Sequence, residues 1–335
     1  MNKFLITLAT LVAFAVSGFA VHAQSVTGQM QRIVGLGDDV DGGIAEQFTK
    51  FIISAEKTAD NGWVVGGSMS IQTAAATGGT LAPSTNSMYI QMDMMTVNIG
   101  NTIGPAIGSV PAVNGMVPGG GVDAGYQFLF DGGNVAVNAG NVGFREAYYA
   151  SNAAKIDIDL PTVNGFTVGV SYTPSEEFRG TSPGGRQQAE HPTVHGETIE
   201  VGAKYAGEMD GMSYEIGAGL SSGNSRSVLA GTAANVTNND LASVSVGMKV
   251  TMGNMTVGVH GYDNGDSFGH AGDAVKATNS GYNTAITWAM GNMTLGLGYS
   301  HQELTRGTAA AAAATAAASA GLVREDSITM VGVGY

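Results

Sequence analysis

Few residues in this chain have the types and spacing that chemistry requires. His191 and His195 stand four apart, a spacing at which two imidazoles on one helical face can hold a metal ion, but Pro192 and its polar neighbours make the segment a loop. Asp38-Asp39-Val40-Asp41 and Asp263-Asn264-Gly265-Asp266 supply the oxygen ligands that Ca²⁺ favours, yet neither has the spacing of a calcium loop, and both read as solvated turns. His260, beside Gly258 in an alternating run, reads as an inward strand residue, and no local motif joins a serine, a histidine and an orienting acid. No catalytic residue, metal ligand or cofactor is therefore assigned, and no enzyme is expected. What remains is charge at alternating positions: Asp157 with Asp159, Glu200 with Lys204, then Glu215 and Lys249. Residues two or four apart share one face of a strand, so these groups can line a surface with electrostatic potential.

The elements that must hold them are strands. Met95-Thr-Val-Asn-Ile99, Phe166-Thr-Val-Gly-Val170, Met212-Ser-Tyr-Glu-Ile216, Met255-Thr-Val-Gly-Val259 and Met293-Thr-Leu-Gly-Leu297 repeat one pattern, with large apolar residues at every second position and small or polar ones between. Such strands have one apolar and one polar face. A turn containing Gly or Asn precedes each of the last four, at 161–165, 208–211, 252–254 and 290–292, and another lies at 58–62. Long polar segments alternate with these turns at 173–197, 221–240, 262–280 and 302–321. Short turns at one end and long loops at the other are the asymmetry of an outer-membrane barrel.

Composition agrees. Phe4 to Val16 is an apolar run behind Asn2-Lys3 and ahead of Val21-His22-Ala23, so residues 1–23 read as an export signal and 24–335 as one barrel domain. No later stretch reaches the roughly 20 apolar residues of a spanning helix. Fifty-one glycines, 12% charged residues, no cysteine and a mean hydropathy near zero suit a sheet with a lipid face, a wet face and a closed ring of hydrogen bonds. Twenty-seven acidic against 14 basic side chains give −13, or −14 without Lys3, which argues against a nucleic-acid partner.

Fourteen strands are counted, near 25–36, 45–57, 62–73, 86–93, 95–101, 147–160, 165–174, 197–207, 212–220, 241–252, 254–262, 280–290, 292–301 and 323–335. A further pair within 105–147 is an alternative. Parity turns Val168, Val246, Trp288, Leu297 and Val333 outward and Thr167, Lys249, Thr294 and Gly332 inward, while Tyr172, Tyr205, Tyr299 and Tyr335 mark strand ends as interfacial aromatics. The segment with Pro105, Pro111 and Pro118 breaks regular structure repeatedly yet is more apolar than the other loops, so it is expected to pack against protein. The tract 309–320 is nearly all Ala and reads as a short helix or an outer loop.

With these strand phrases, Asn164-Gly-Phe-Thr-Val-Gly-Val-Ser-Tyr172 and the terminal Gly332-Val-Gly-Tyr335, the chain resembles the general bacterial porins, particularly the alphaproteobacterial type. The resemblance implies a transmembrane antiparallel β-barrel of 16 strands in the outer membrane of a Gram-negative bacterium. It also implies a homotrimer in contact with lipid and lipopolysaccharide, and a long third loop folded into the lumen. That loop falls within about 101–146. Asp123 and Asp131 on it, facing Arg32 and Lys50 of the early strands, are the candidate constriction, a sparser set than the family's usual acid-against-base arrangement. Asp157, Asp159, Glu200, Lys204, Glu215 and Lys249 are the candidate pore lining. The expected function is passive diffusion of ions and small hydrophilic solutes with weak cation preference. A solute-specific channel and a structural barrel or adhesin are the alternatives.

Overall fold

A computed structural model describes residues 25–35, 43–74, 81–113, 116–118, 153–175, 195–225, 239–267, 276–305 and 323–334. Among the described residues, fourteen strands form one sheet in strict sequence order, every pair antiparallel. They are β1 (Ser25–Gly35), β2 (Gly43–Thr58), β3 (Val64–Ala74), β4 (Leu81–Met92), β5 (Met95–Asn101), β6 (Ala154–Asp159), β7 (Phe166–Ser175), β8 (His195–Met209), β9 (Met212–Ser225), β10 (Leu241–Met252), β11 (Met255–Asp263), β12 (Thr278–Met290), β13 (Met293–Thr305) and β14 (Val323–Gly334). Among the described residues one short helix, α1 (Pro105–Gly108), lies between β5 and β6. The fourteen expected from alternation are all present. β4 starts earlier than its apolar pattern, beyond a bulge opposite Ser70 and Ile71, and β8 and β9 run on into residues read as loop. Ladder hydrogen bonds need no apolar side chain, so these polar extensions carry no periodic signal.

Turns fix the register. Asn164 and Gly165 both adopt positive φ, +50° and +85°, and Asp210 and Gly211 adopt +50° and +77°. This is the conformation of two-residue hairpins whose twist matches the strands they join, and Asn-Gly and Asp-Gly reach it at least cost. At the 58–62 turn, the Gly62 N–H donates to the Ala59 carbonyl at 2.9 Å and the Ala59 N–H to the Trp63 carbonyl at 2.7 Å.

Burial is inverted relative to a water-soluble protein. Val246 is 55% exposed, Trp288 56%, Leu297 49% and Val333 63%, whereas on the opposite face Glu200 is 0% exposed and Ser245 1%. Phe166, Val170, Ile199, Ile216, Leu220, Val259 and Ile286 extend the exposed apolar surface over neighbouring strands. A continuous apolar band of this extent requires a non-aqueous solvent, which for a sheet is the bilayer. Phe166 packs on Tyr205 at 4.5 Å and Tyr205 on Tyr214 at 5.7 Å near the short-turn end. Tyr282 meets Tyr299 at 6.1 Å and His301 at 5.4 Å towards the other end, where the Tyr299 hydroxyl donates to Ser327. Aromatic clusters at both margins suit the headgroup layers. The signal segment, 309–320, His191, Asp38, Asp39, Asp41 and Tyr335 lie outside the described residues.

Candidate functional site

The inner face is built from two adjacent patterns, a polar row and a glycine track, with the α1 loop lying across them. The row joins directly paired residues of eight successive strands, Glu56, Gly66, Tyr89, Asn98, Asp157, Ser171, Glu200 and Ser221, and reaches Ser243 on a ninth. Hydrogen bonds join many of the neighbours. The Tyr89 hydroxyl donates to Glu56 at 2.7 Å and spreads over Gly66, a residue with no side chain to displace it. The Asn98 amide donates to Asp157 at 3.1 Å and to Asp159 at 3.2 Å, so one side chain serves both acids of β6. Ser171 donates to Glu200 at 2.9 Å. Farther on, Ser243 donates to Asn264 at 2.6 Å and Asn264 to Asn279 at 2.8 Å, both bonds buried.

Lys155 and Glu200 form the charged centre of this wall. Their Nζ and Oε2 atoms are 3.6 Å apart and both side chains are fully buried. Gly104, the last residue before α1, sits directly upon them, and a side chain at 104 would overlap the Glu200 carboxylate. Lys155 shares the parity of Asp157 and Asp159, and that spacing was the signal by which sequence reasoning could have included it.

From Gly104 the loop crosses the inner face obliquely. Pro105 starts α1, where its fixed φ suits the first turn and its missing N–H is not needed. Gly169, Gly202 and Gly219 are cross-strand partners on β7, β8 and β9, and the next residue in the row is Ser245, whose hydroxyl donates to the Ala106 carbonyl at 3.2 Å. Side chains at Gly202, Gly219 and Gly217 would strike the backbone carbonyls of Pro105, Ala106 and Ser109 respectively. Beyond them, Gly247 faces Val110, Gly258 faces Val113 and Met116, and Gly296 and Gly332 face Val117 and Pro118 on the last two strands. Ala106, Val110, Val113 and Val117 are all buried by this seating. The apolar, proline-broken loop thus packs on the wall as its composition implied.

The remaining candidates divide. Lys249 and Glu215 are directly opposed on β10 and β9 and paired at 3.0 Å, about one-third exposed. Lys204 stands on the same face, opposite Thr167 and Gly217. Lys50 is opposite Gln29 and Gln72, and Arg32 is opposite Glu46. Glu200 is on the inner face as parity requires, but it is covered by the loop root instead of facing open space. Asp123 and Asp131 lie outside the described residues.

A second buried network occupies β11 to β13: Ser300 donates to Asn283 at 2.5 Å, and the Asn283 amide contacts His260 Nδ1 at 3.1 Å. His195, expected in a loop, is instead the first residue of β8, buried, with Nε2 3.2 Å from the Asn239 carbonyl. The 263–266 turn is likewise no freely solvated one: the Gly265 N–H donates to Asp263 at 2.8 Å, Asn264 is buried, and Asp266 pairs with Lys276.

A family model described as Gram-negative porin matches residues 7–323. Among solved structures, a loop-deletion mutant of OmpT, an outer membrane protein of Vibrio cholerae, is similar with TM-score 0.57 and 12% identity over 94% of this chain and 87% of its own. The in-vitro folded trimer form of the same Vibrio cholerae protein gives 0.56 and 13% over 94% and 84%. A substituted porin of Rh. blastica is 16% identical over 84% of this chain and 88% of its own, with TM-score 0.48. No curated protein sequence matches.

Proposed function

Because the chain belongs to the Gram-negative porin family and is an outer-membrane channel, we propose that it passes ions and small hydrophilic solutes by diffusion, with weak cation preference and no chemical step. The observation that carries this reading is the division of the sheet: an exposed apolar band on one face, and on the other a polar row crossed by a seated loop. A loop lying along the wall narrows a lumen while leaving it a passage, and the narrow part governs what passes.

Ion preference follows from the balance of charge on the inner face. Lys155 neutralises Glu200 beneath the loop, and Lys249 offsets Glu215. On the same face Glu56, Asp157 and Asp159 face Lys50 and Lys204, a small negative excess. The candidate constriction of Asp123 and Asp131 against Arg32 and Lys50 would add to it if the two acids reach the narrow part. Low-dielectric walls amplify such charges, while outer-loop charges are screened beyond about 8 Å at physiological salt. The assembly we propose is a homotrimer set in outer-membrane lipid and lipopolysaccharide. Its support is the trimer form of the similar Vibrio cholerae protein and the breadth of the apolar band.

Liposome swelling with a graded series of neutral sugars tests the function. Swelling that falls smoothly with sugar size is expected; none at any size, from protein shown to be folded, would exclude a diffusion channel. Neutralising Asp123 and Asp131 together should weaken cation preference, and an unchanged reversal potential would remove those two from the constriction.

A further inference from the structure

The glycines of the inner wall outnumber what strand geometry asks for, and their positions follow the loop. Gly169, Gly202 and Gly219 form consecutive cross-strand partners, and Gly217 is directly paired with Gly247. Glycine in a strand interior costs stability because it loses more backbone entropy and packs nothing. Here the loop fills the gaps, with its backbone at Gly202, Gly217 and Gly219 and with the Pro105 and Val110 side chains at Gly169 and Gly247.

The contacts fall into two kinds. At Gly202, Gly217 and Gly219, wall backbone meets loop backbone, so neither side can yield by turning a side chain. At Gly258 an added Cβ would meet the Met116 sulfur at 2.6 Å, and at Gly247 the Val110 Cγ1 at 2.8 Å. Met is unbranched and adaptable, so the Gly258 contact is the cheaper to disturb. The loop is therefore held hardest over β8 and β9, beside the buried Lys155–Glu200 pair under Gly104.

We propose that Gly202, Gly217 and Gly219 are the residues that set the width of this channel. By presenting bare backbone they let the loop lie directly on the wall as a fixed liner. This rests on the channel reading and adds to it the residues that determine the size limit. A methyl group at Gly219 must drive the loop off the wall by roughly 1.5 Å to recover ordinary contact, which moves it towards the passage. Wall glycine and solute size limit are thus linked, although no solute touches the glycine.

The test uses the absence of native cysteine. Ser109→Cys places one thiol in the seated loop at a position only 8% exposed. In the full-length, refolded protein this thiol should label slowly with a charged maleimide. Gly219→Ala or Gly202→Ala added to it should raise the labelling rate by about tenfold or more, as overpacking shifts the seated loop towards open states. In the Ser109 background, the same substitutions should lower single-channel conductance and the sugar size limit. Gly258→Ala should change both much less. Gly261→Ala, whose new Cβ meets nothing closer than 3.8 Å, should change neither.

Labelling and conductance that stay at the unsubstituted level in folded Gly219→Ala and Gly202→Ala would overturn the proposal. So would equal effects at Gly219 and Gly258. If the glycine variants do not assemble, Val110→Ser with Val113→Ser loosens the loop from its own side and must also expose the Ser109→Cys thiol; continued protection there would refute the seat. Labelling is read on folded protein whether or not it conducts, so failure of the channel reading is seen separately, as an unsubstituted protein that passes no current.

Discussion

Glu200→Ala is the most informative single change to the wall. It removes the partner of Lys155 at 3.6 Å and the acceptor of the Ser171 hydroxyl at 2.9 Å, at a place where neither charged side chain is exposed. Breaking a buried ion pair from one side leaves the other charge poorly compensated and costs about 3–5 kcal/mol. A surface pair would cost at most about 1 kcal/mol. Replacing both partners by apolar residues of similar volume, Lys155→Met with Glu200→Leu, removes the charge altogether and should restore stability to within about 1–2 kcal/mol of the parent, the remainder reflecting the Ser171 hydroxyl left unpaired. Urea unfolding in detergent micelles, followed by the fluorescence of Trp63 and Trp288, measures both variants and the coupling between the two sites. A loss below about 1 kcal/mol for Glu200→Ala would mean that water reaches Lys155, and the account of a loop root sealed over the pair would be wrong.

The other perturbations separate the two faces and the paired from the unpaired charges. Leu297→Arg should destabilise by about 2–4 kcal/mol, as a cation facing the bilayer midplane does, whereas Thr294→Arg on the inner face should be tolerated; equal losses by urea titration would refute the register. Asn98→Leu strips Asp157 and Asp159 of their shared donor and should cost about 1–3 kcal/mol, and a neutral result would show that water already serves both acids. Glu215→Gln frees Lys249 and should shift the reversal potential in a KCl gradient towards anions while changing stability by less than about 1 kcal/mol; a shift towards cations would contradict the pairing.

Strands and faces were legible because a period of two survives any detail of packing. Val246, Leu297 and Val333 fall outward, and Lys249 and Gly332 inward, from alternation alone, and the Asn164-Gly165 hairpin is written in two residues. The seat of the loop was not legible. Its proline breaks and apolar character announced packing against protein, but which strands it would touch depends on the cross-strand register of Gly169, Gly202 and Gly219, a relation among residues far apart in sequence. Glycine also carries no side-chain signal, so the same letter marks a turn at Gly165 and a docking position at Gly219. Glu200 shows the limit of parity: the face was read correctly, yet whether water or a loop covers that face is a tertiary matter, decided by Gly104 lying above it.

The claim on which the rest depends is an open polar passage whose potential is slightly negative. Planar-bilayer recording of the purified, refolded protein under a KCl gradient tests it most directly. Stepwise insertion of steady channels is expected, with a reversal potential of modest cation preference; folded protein that inserts without current, or channels that prefer anions, would contradict the account.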